Sequence, residues 1–277
     1  MRLALAVQTP EVSISLPVAL LSGTWPEKVD KAAQLGIEGL ELMTADPSQV
    51  DVHLLRSVMV ARGIAAVAVG TGAAVMQAGL YLIHADPDLA ARARIRLNEF
   101  ITFAAAVGAP LVTIGSFRGR LARAATDGRA QLAEILNRAA ERAAAAGVRL
   151  ALEPLNRYEA DFVNTAEEGL AFVNEVGNAA LGLLLDTYHV NIEEASWEAP
   201  FRRLMQAGKL WHVHLGDNNR LPPGDGMIDF PSLVRTLRTL GYCGTLSAEL
   251  LARPDPDTAA RRTVEYMRPL LEAARCA

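Results

Sequence analysis

Four residues of this chain have side chains that bind metal ions or move protons, and each stands at the end of a short apolar run. Glu153 follows Arg149–Leu152, Asp186 follows Leu181–Leu185, His214 closes Leu210–His214, and Glu249 follows Thr245–Ala248. Singly, each has an ordinary explanation: a solvated loop glutamate, a helix N-cap before Thr187, a satisfied core histidine, a glutamate paired with an arginine. Four such residues at equivalent places in consecutive runs point instead to one shared site. Three carboxylates and an imidazole form a hard, oxygen-rich set. It suits one divalent ion, Mn²⁺, Mg²⁺ or Co²⁺, and Zn²⁺ is compatible. Glu159, His189 and Arg220 lie a few residues beyond three of these run ends, close enough to reach over the same mouth. Glu159 and Arg220 would otherwise be an ion pair of little energetic weight.

Such a rim needs a scaffold that ends several parallel strands side by side. The chain alternates short apolar runs with amphipathic Ala/Leu/Arg/Glu stretches, with no linker or low-complexity block between them. The runs read as strands are Leu3–Val7, Gly39–Met43, Ala65–Val69, Leu111–Ile114, Arg149–Leu152, Leu181–Leu185, Leu210–His214 and Thr245–Ala248. The stretches read as helices are Pro26–Leu35, Gln49–Arg62, Asp88–Val107, Gly128–Ala146, Thr165–Val176, Trp197–Ala207, Phe230–Leu240 and Thr258–Ala274. Glycines 36, 63, 108, 147, 208 and 241 stand where left-handed C-terminal caps are wanted. Strict alternation predicts a parallel sheet covered by helices, and eight units favour closure into a (β/α)8 barrel. An open doubly wound sheet is the alternative, weakened because no Gly-x-Gly-x-x-Gly follows the first run. The 277 residues match one such barrel, which needs roughly 250, so residues 1–277 are expected to form a single domain. In a barrel of this kind chemistry gathers at the C-terminal strand ends, where the four residues stand.

Composition narrows the function. The formal net charge of −4 offers no general basic excess for a phosphate backbone, so nucleic acid is not the expected partner. Cys243 and Cys276 make no disulfide framework and are read as free thiols of a reducing compartment. The N-terminal apolar run is too short for a signal peptide, and a cytoplasmic location is expected. Gly63–Ala85 carries no charged residue, but its four glycines mark a buried strand and a glycine-rich loop rather than a membrane span.

Three stretches make the chain recognisable: Ala-Leu-Glu-Pro-Leu-Asn-Arg-Tyr-Glu at 151–159, Asp-Thr-Tyr-His-Val-Asn-Ile-Glu-Glu at 186–194 and His-Leu-Gly-Asp-Asn-Asn-Arg at 214–220. They resemble the xylose isomerase-like barrel superfamily, and within it the D-tagatose and D-psicose 3-epimerase group. Gly70-Thr-Gly-Ala and Gly79-Leu-Tyr-Leu-Ile-His-Ala-Asp-Pro are similar to 5-keto-L-gluconate epimerase. The resemblance covers nearly the whole chain and is most specific in its second half. It implies that Glu153, Asp186, His214 and Glu249 hold the metal, that Glu153 and Glu249 are also the catalytic acid/base pair, and that Glu159, His189 and Arg220 contact the substrate. It implies a small ketose or keto-sugar acid as substrate, and a homodimer or homotetramer.

The implied chemistry is inversion of the carbon next to a ketone. Two carboxylates on opposite faces exchange a proton through a metal-stabilised cis-enediolate. Glu153 and Glu249 belong to strands separated by two others, as that arrangement requires. The chain departs from the pattern at Asp217, where many 3-epimerases carry glutamate. The shorter side chain keeps the charge but changes its reach, which bears on sugar specificity more than on the chemistry. An aldose–ketose or inosose isomerase or dehydratase would use the same kind of intermediate. An endonuclease-IV-like phosphodiesterase would want a histidine-rich multi-zinc cluster. Of the five histidines, His53 falls in the second helix and His212, two residues before His214, packs below the site. Arg118 and Arg120, beyond the fourth run, either greet a carboxylate or phosphate or belong to a solvated loop.

Overall fold

The computed structural model describes residues 1–124 and 127–273. Eight parallel strands close into one barrel in sequence order, with the last strand pairing with the first. They are β1 (Arg2–Gln8), β2 (Gly39–Met43), β3 (Ala65–Gly70), β4 (Leu111–Ile114), β5 (Arg149–Leu152), β6 (Leu181–Asp186), β7 (Leu210–Leu215) and β8 (Thr245–Ala248). Each expected run is a strand, to within a residue or two at its ends.

The helices are α1 (Trp25–Gln34), α2 (Val52–Val60), α3 (Gly72–Ala78), α4 (Pro87–Val107), α5 (Gly128–Ala145), α6 (Ala166–Val176), α7 (Thr187–Glu193), α8 (Ala199–Gln206), α9 (Phe230–Thr239) and α10 (Pro256–Glu272). Two of these correct the sequence reading. The expected glycine-rich loop after β3 contains α3, and α7 begins directly on Asp186, the last residue of β6. The helix expected over Gln49–Arg62 is shorter, because Asp51 caps α2 by accepting the Leu54 N–H. Ala274, the expected end of the last helix, and Cys276 lie outside the described residues. The six glycines expected as stop signals all have positive φ.

The main core lies between barrel and helices, where Phe100, Phe172, Phe201 and Phe230 are wholly buried. A separate cluster of Ala68, Leu111, Ala151 and Leu184 is set by the other strand face, the one turned into the barrel. Two residues beyond Ala151 and Leu184 on that inward face stand Glu153 and Asp186. The packing of the lower barrel thus fixes the direction in which both carboxylates emerge. The uncharged segment 63–85 is accounted for by β3, α3 and a loop, and no helix among the described residues is long and apolar enough to cross a membrane.

Candidate metal centre and active site

Strand register builds the site. Asp186 of β6 lies level with His214 of β7, and His214 lies level with Ser247, two residues before Glu249. Glu153 extends β5 by one residue, its N–H donating to the Ile114 carbonyl of β4 at 3.0 Å. One potential ligand atom from each of Glu153, Asp186, His214 and Glu249 lies within 4.8 Å of those of the other three.

Two of these atoms, Glu153 Oε1 and Asp186 Oδ2, are buried without a hydrogen-bond partner, and His214 Nδ1 meets only carboxylate oxygens of the same group. Asp186 does act as a helix N-cap, but only through Oδ1, which accepts the Tyr188 N–H at 2.8 Å. Its other oxygen is left for the site. His214 Nδ1 is 2.7 Å from Glu249 Oε2 and 3.6 Å from Glu153 Oε1. Unpartnered buried polar atoms are costly. Two of them converging beside an imidazole and a third carboxylate is the pattern expected of groups that share a cation, and the donor set fits a divalent ion.

The ionisation of the groups tells the same story. Burial raises the Asp186 carboxyl to about 7, with Glu153 and Glu249 adding to the rise and Arg220 and His214 only partly offsetting it. Burial likewise lifts Glu153. Burial acts against the charged form of Glu249 too, but His214 and Arg220 together hold its carboxyl low. For His214, burial favours the neutral ring, and Glu41 and Glu249 outweigh it, raising the imidazole well above its usual range. The protein's own cations do not fully compensate the carboxylates.

His214 is aimed by a residue that sequence reasoning missed. Glu41, in the middle of β2, is buried and takes His214 Nε2 at 3.0 Å and His212 Nε2 at 3.0 Å on Oε2. Thr113 Oγ1 donates to its other oxygen at 3.1 Å. With Nε2–H directed at Glu41, Nδ1 is the nitrogen that faces the other three candidate ligands, and loss of its proton would leave the arrangement in which histidine binds metals. His212 packs beneath the site as expected. The signal for Glu41 was a carboxylate inside an otherwise apolar strand, which must find a partner.

The three expected substrate contacts also converge. Asn156 donates its N–H to His189 Nδ1 at 3.3 Å, with its amide Nδ2 2.8 Å from the same nitrogen and 3.0 Å from Glu159 Oε1. With Nδ1 accepting, the His189 proton resides on Nε2, which points into the site 3.8 Å from Glu153 Oε1 and 3.9 Å from Asp186 Oδ2. Burial, reinforced by Arg220 and Arg118, keeps this imidazole neutral. Arg220 lies 3.4 Å from Glu159 and over the Tyr188 ring. Its backbone has φ of +60°, its N–H donates to the Asp217 carbonyl at 2.8 Å, and its carbonyl accepts the Leu251 N–H at 2.7 Å.

Two expectations change. Asp217 does not reach over the mouth as a specificity residue. It is wholly buried, and its carboxylate accepts the N–H groups of Asn218, Gly224, Gly226 and Ile228, closing the loop after β7. A Cβ on Gly226 would come within 2.3 Å of the Asp217 carboxylate, which is why the position is glycine. Arg118 is neither solvated nor aimed at a ligand. It is buried, bonded to the carbonyls of Glu153, Phe162 and Val163, and burial lowers its guanidinium to about 10.

Barrel and site together define a class, and the comparison agrees: the chain belongs to the xylose isomerase-like TIM barrel family, whose profile matches residues 29–270. Among individual proteins, it is 36% identical over 220 residues to an L-ribulose 3-epimerase of Mesorhizobium japonicum, covering 78% of this chain and 72% of that one. It is 31% identical over 224 residues to a ketose 3-epimerase of Arthrobacter globiformis, covering 80% and 75%. A solved L-ribulose 3-epimerase structure superposes with a TM-score of 0.79 at 28% identity, covering 98% of this chain and 95% of that one.

Proposed function

We propose that the protein is a divalent-metal-dependent ketose 3-epimerase. The reading is carried by the convergence of Glu153 Oε1 and Asp186 Oδ2, both buried and unpartnered, with His214 Nδ1 and the Glu249 carboxylate. It is supported by the named activities of the similar chains. Glu153, Asp186, His214 and Glu249 would hold one ion, Mn²⁺ first. When bound, that ion supplies Lewis-acid stabilisation of negative charge on the oxygens beside the reacting carbon.

The chain's own residues supply the rest. Epimerisation requires a proton to leave one face of the carbon next to the ketone and another to arrive on the opposite face. Glu153 and Glu249, on strands separated by β6 and β7, serve as that pair. His189 Nε2–H and the Arg220 guanidinium donate hydrogen bonds to the oxygen that gains charge. Glu159, held by Asn156 and Arg220, accepts from a sugar hydroxyl. We place the enzyme in the cytoplasm, in keeping with the exposed, unpaired Cys243.

The test is deuterium exchange by NMR, with Mn²⁺-loaded protein in D₂O against fructose, psicose, tagatose and sorbose. Deuterium entering at C3, with appearance of the C3 epimer and dependence on the ion, is the expected result. An aldose product, or exchange at C1, would transfer the chain to the isomerases. Metal analysis should find one ion per chain; two or three would favour the nuclease chemistry.

A further inference from the structure

The cavity directly over the candidate ligands is small, about 60 Å³, against roughly 300–1,000 Å³ for ordinary small-molecule sites. A six-carbon sugar placed with its ketone end among Glu153, His214 and Glu249 has to continue elsewhere. A second cavity of about 340 Å³ adjoins the first, sharing Ser116, Leu155 and Glu159 as a common wall. Its other lining includes Tyr81, Tyr158, Arg120 and Arg123.

The two arginines carry the argument. Arg120 donates Nη2 to the Tyr158 carbonyl at 2.8 Å, a neutral acceptor that orients the guanidinium and leaves its charge unmatched. Neither Arg120 nor Arg123 stands in an ion pair among the described residues. Glu159, the carboxylate in this cavity, lies 3.4 Å from Arg220, whose charge it shares with Asp186 and Glu249. The segment bearing the arginines is built in place. Leu121 and Ala122 donate their N–H groups to Asp161 at 2.9 Å each. Just before it, Gly119 packs so closely that a Cβ would stand 2.4 Å from the Ile83 carbonyl oxygen. Arg120, half-buried, and Arg123, exposed, line one concave wall without an ion pair of their own, and the guanidinium fork fits a carboxylate or phosphate.

We infer that the second cavity is a subsite for an anionic group, carboxylate or phosphate, at the end of the ketose remote from its reacting carbon, held by Arg120 and Arg123. The inference rests on the epimerase reading and goes beyond it by naming the substrate class.

The experiment compares kcat/KM of the full-length, Mn²⁺-loaded protein on two matched pairs, D-tagatose with D-tagaturonate and D-fructose with D-fructose 6-phosphate. The charged member of one pair should be preferred by about tenfold or more, and which pair shows it distinguishes carboxylate from phosphate. The preference should shrink at high ionic strength. In Arg123→Ala, and further in the Arg120→Ala/Arg123→Ala double variant, the charged-to-neutral ratio should fall about tenfold through KM, with Arg123→Lys restoring part of it. A neutral substrate handled as well as its charged partner would overturn the subsite and leave the epimerase intact. So would a preference unmoved by the double variant. No turnover of any of the four sugars by metal-loaded protein would bring down the epimerase reading itself, and the subsite with it.

Discussion

Glu41 and Glu249 make different demands on the same imidazole, and substitution should separate them. Glu41→Gln keeps the size of the side chain but leaves one acceptor oxygen where three donors now converge. His214 would then lose its fixed direction, and Mn²⁺ affinity should fall about 10–100-fold with the fold retained, as read by metal titration beside circular dichroism. Unchanged affinity would show that His214 needs no such anchor. Glu249→Gln should keep the fold and much of the metal binding while turnover drops about 10²–10⁴-fold. Near-normal turnover in that variant would remove Glu249 from proton transfer. The four rim residues were legible in the sequence because each ends an apolar run. Glu41 was not, because it lies inside a run and 173 residues from His214, so no spacing connects them. Asn156 was visible inside its motif, but its role as the link between His189 and Glu159 depends on the fold.

The elements that hold these residues include two short helices and a loop closed by a carboxylate. Neither α3 nor α7 shows the periodicity of a longer amphipathic helix, and each spans only seven residues, so neither stood out from the loops around it. The eight longer helices did stand out, since burial on one side imposes its period over many residues, and the eight strands did so as short apolar runs, most of them buried on both faces. The loop after β7 depends on Asp217, whose four N–H partners exceed what an amide in its place can accept. Asp217→Asn should destabilise the protein by about 1–3 kcal/mol, because buried N–H groups lose their acceptor. It should also raise KM by displacing Arg220, which thermal denaturation and steady-state kinetics would show together. A variant with normal stability and an altered sugar preference would instead return Asp217 to the specificity role first expected of it.

For the molecule as a whole, the crowded carboxylates make stability depend on both pH and metal. A carboxyl raised to about 7 in the fold, like Asp186, stabilises the metal-free protein while protonated. That contribution is lost as pH rises from the ordinary carboxylate range through about 7. The raised His214 imidazole has the same sign, its contribution being present below its ordinary value and lost as pH climbs through the folded one. A divalent ion competes with those protons. The gain in Tm on adding Mn²⁺ to chelator-stripped protein should therefore be larger at pH 8 than at pH 6. At an ion concentration 100-fold above Kd, the stabilisation should reach about 2.7 kcal/mol. A gain equal at both pH values would mean that the ion does not displace protons from these groups. Barrel closure was legible as eight alternations, whereas the register that sets Asp186 beside His214 is a property of the assembled sheet.

The loop that carries Arg220 has one more consequence. Its backbone N–H and carbonyl are both held, by Asp217 and Leu251, and its guanidinium lies on Tyr188 beside Glu159. An arginine on a free loop would give up much of its rotamer freedom each time a sugar bound. Here that conformational entropy is lost during folding, so the cation meets every substrate already pre-organised.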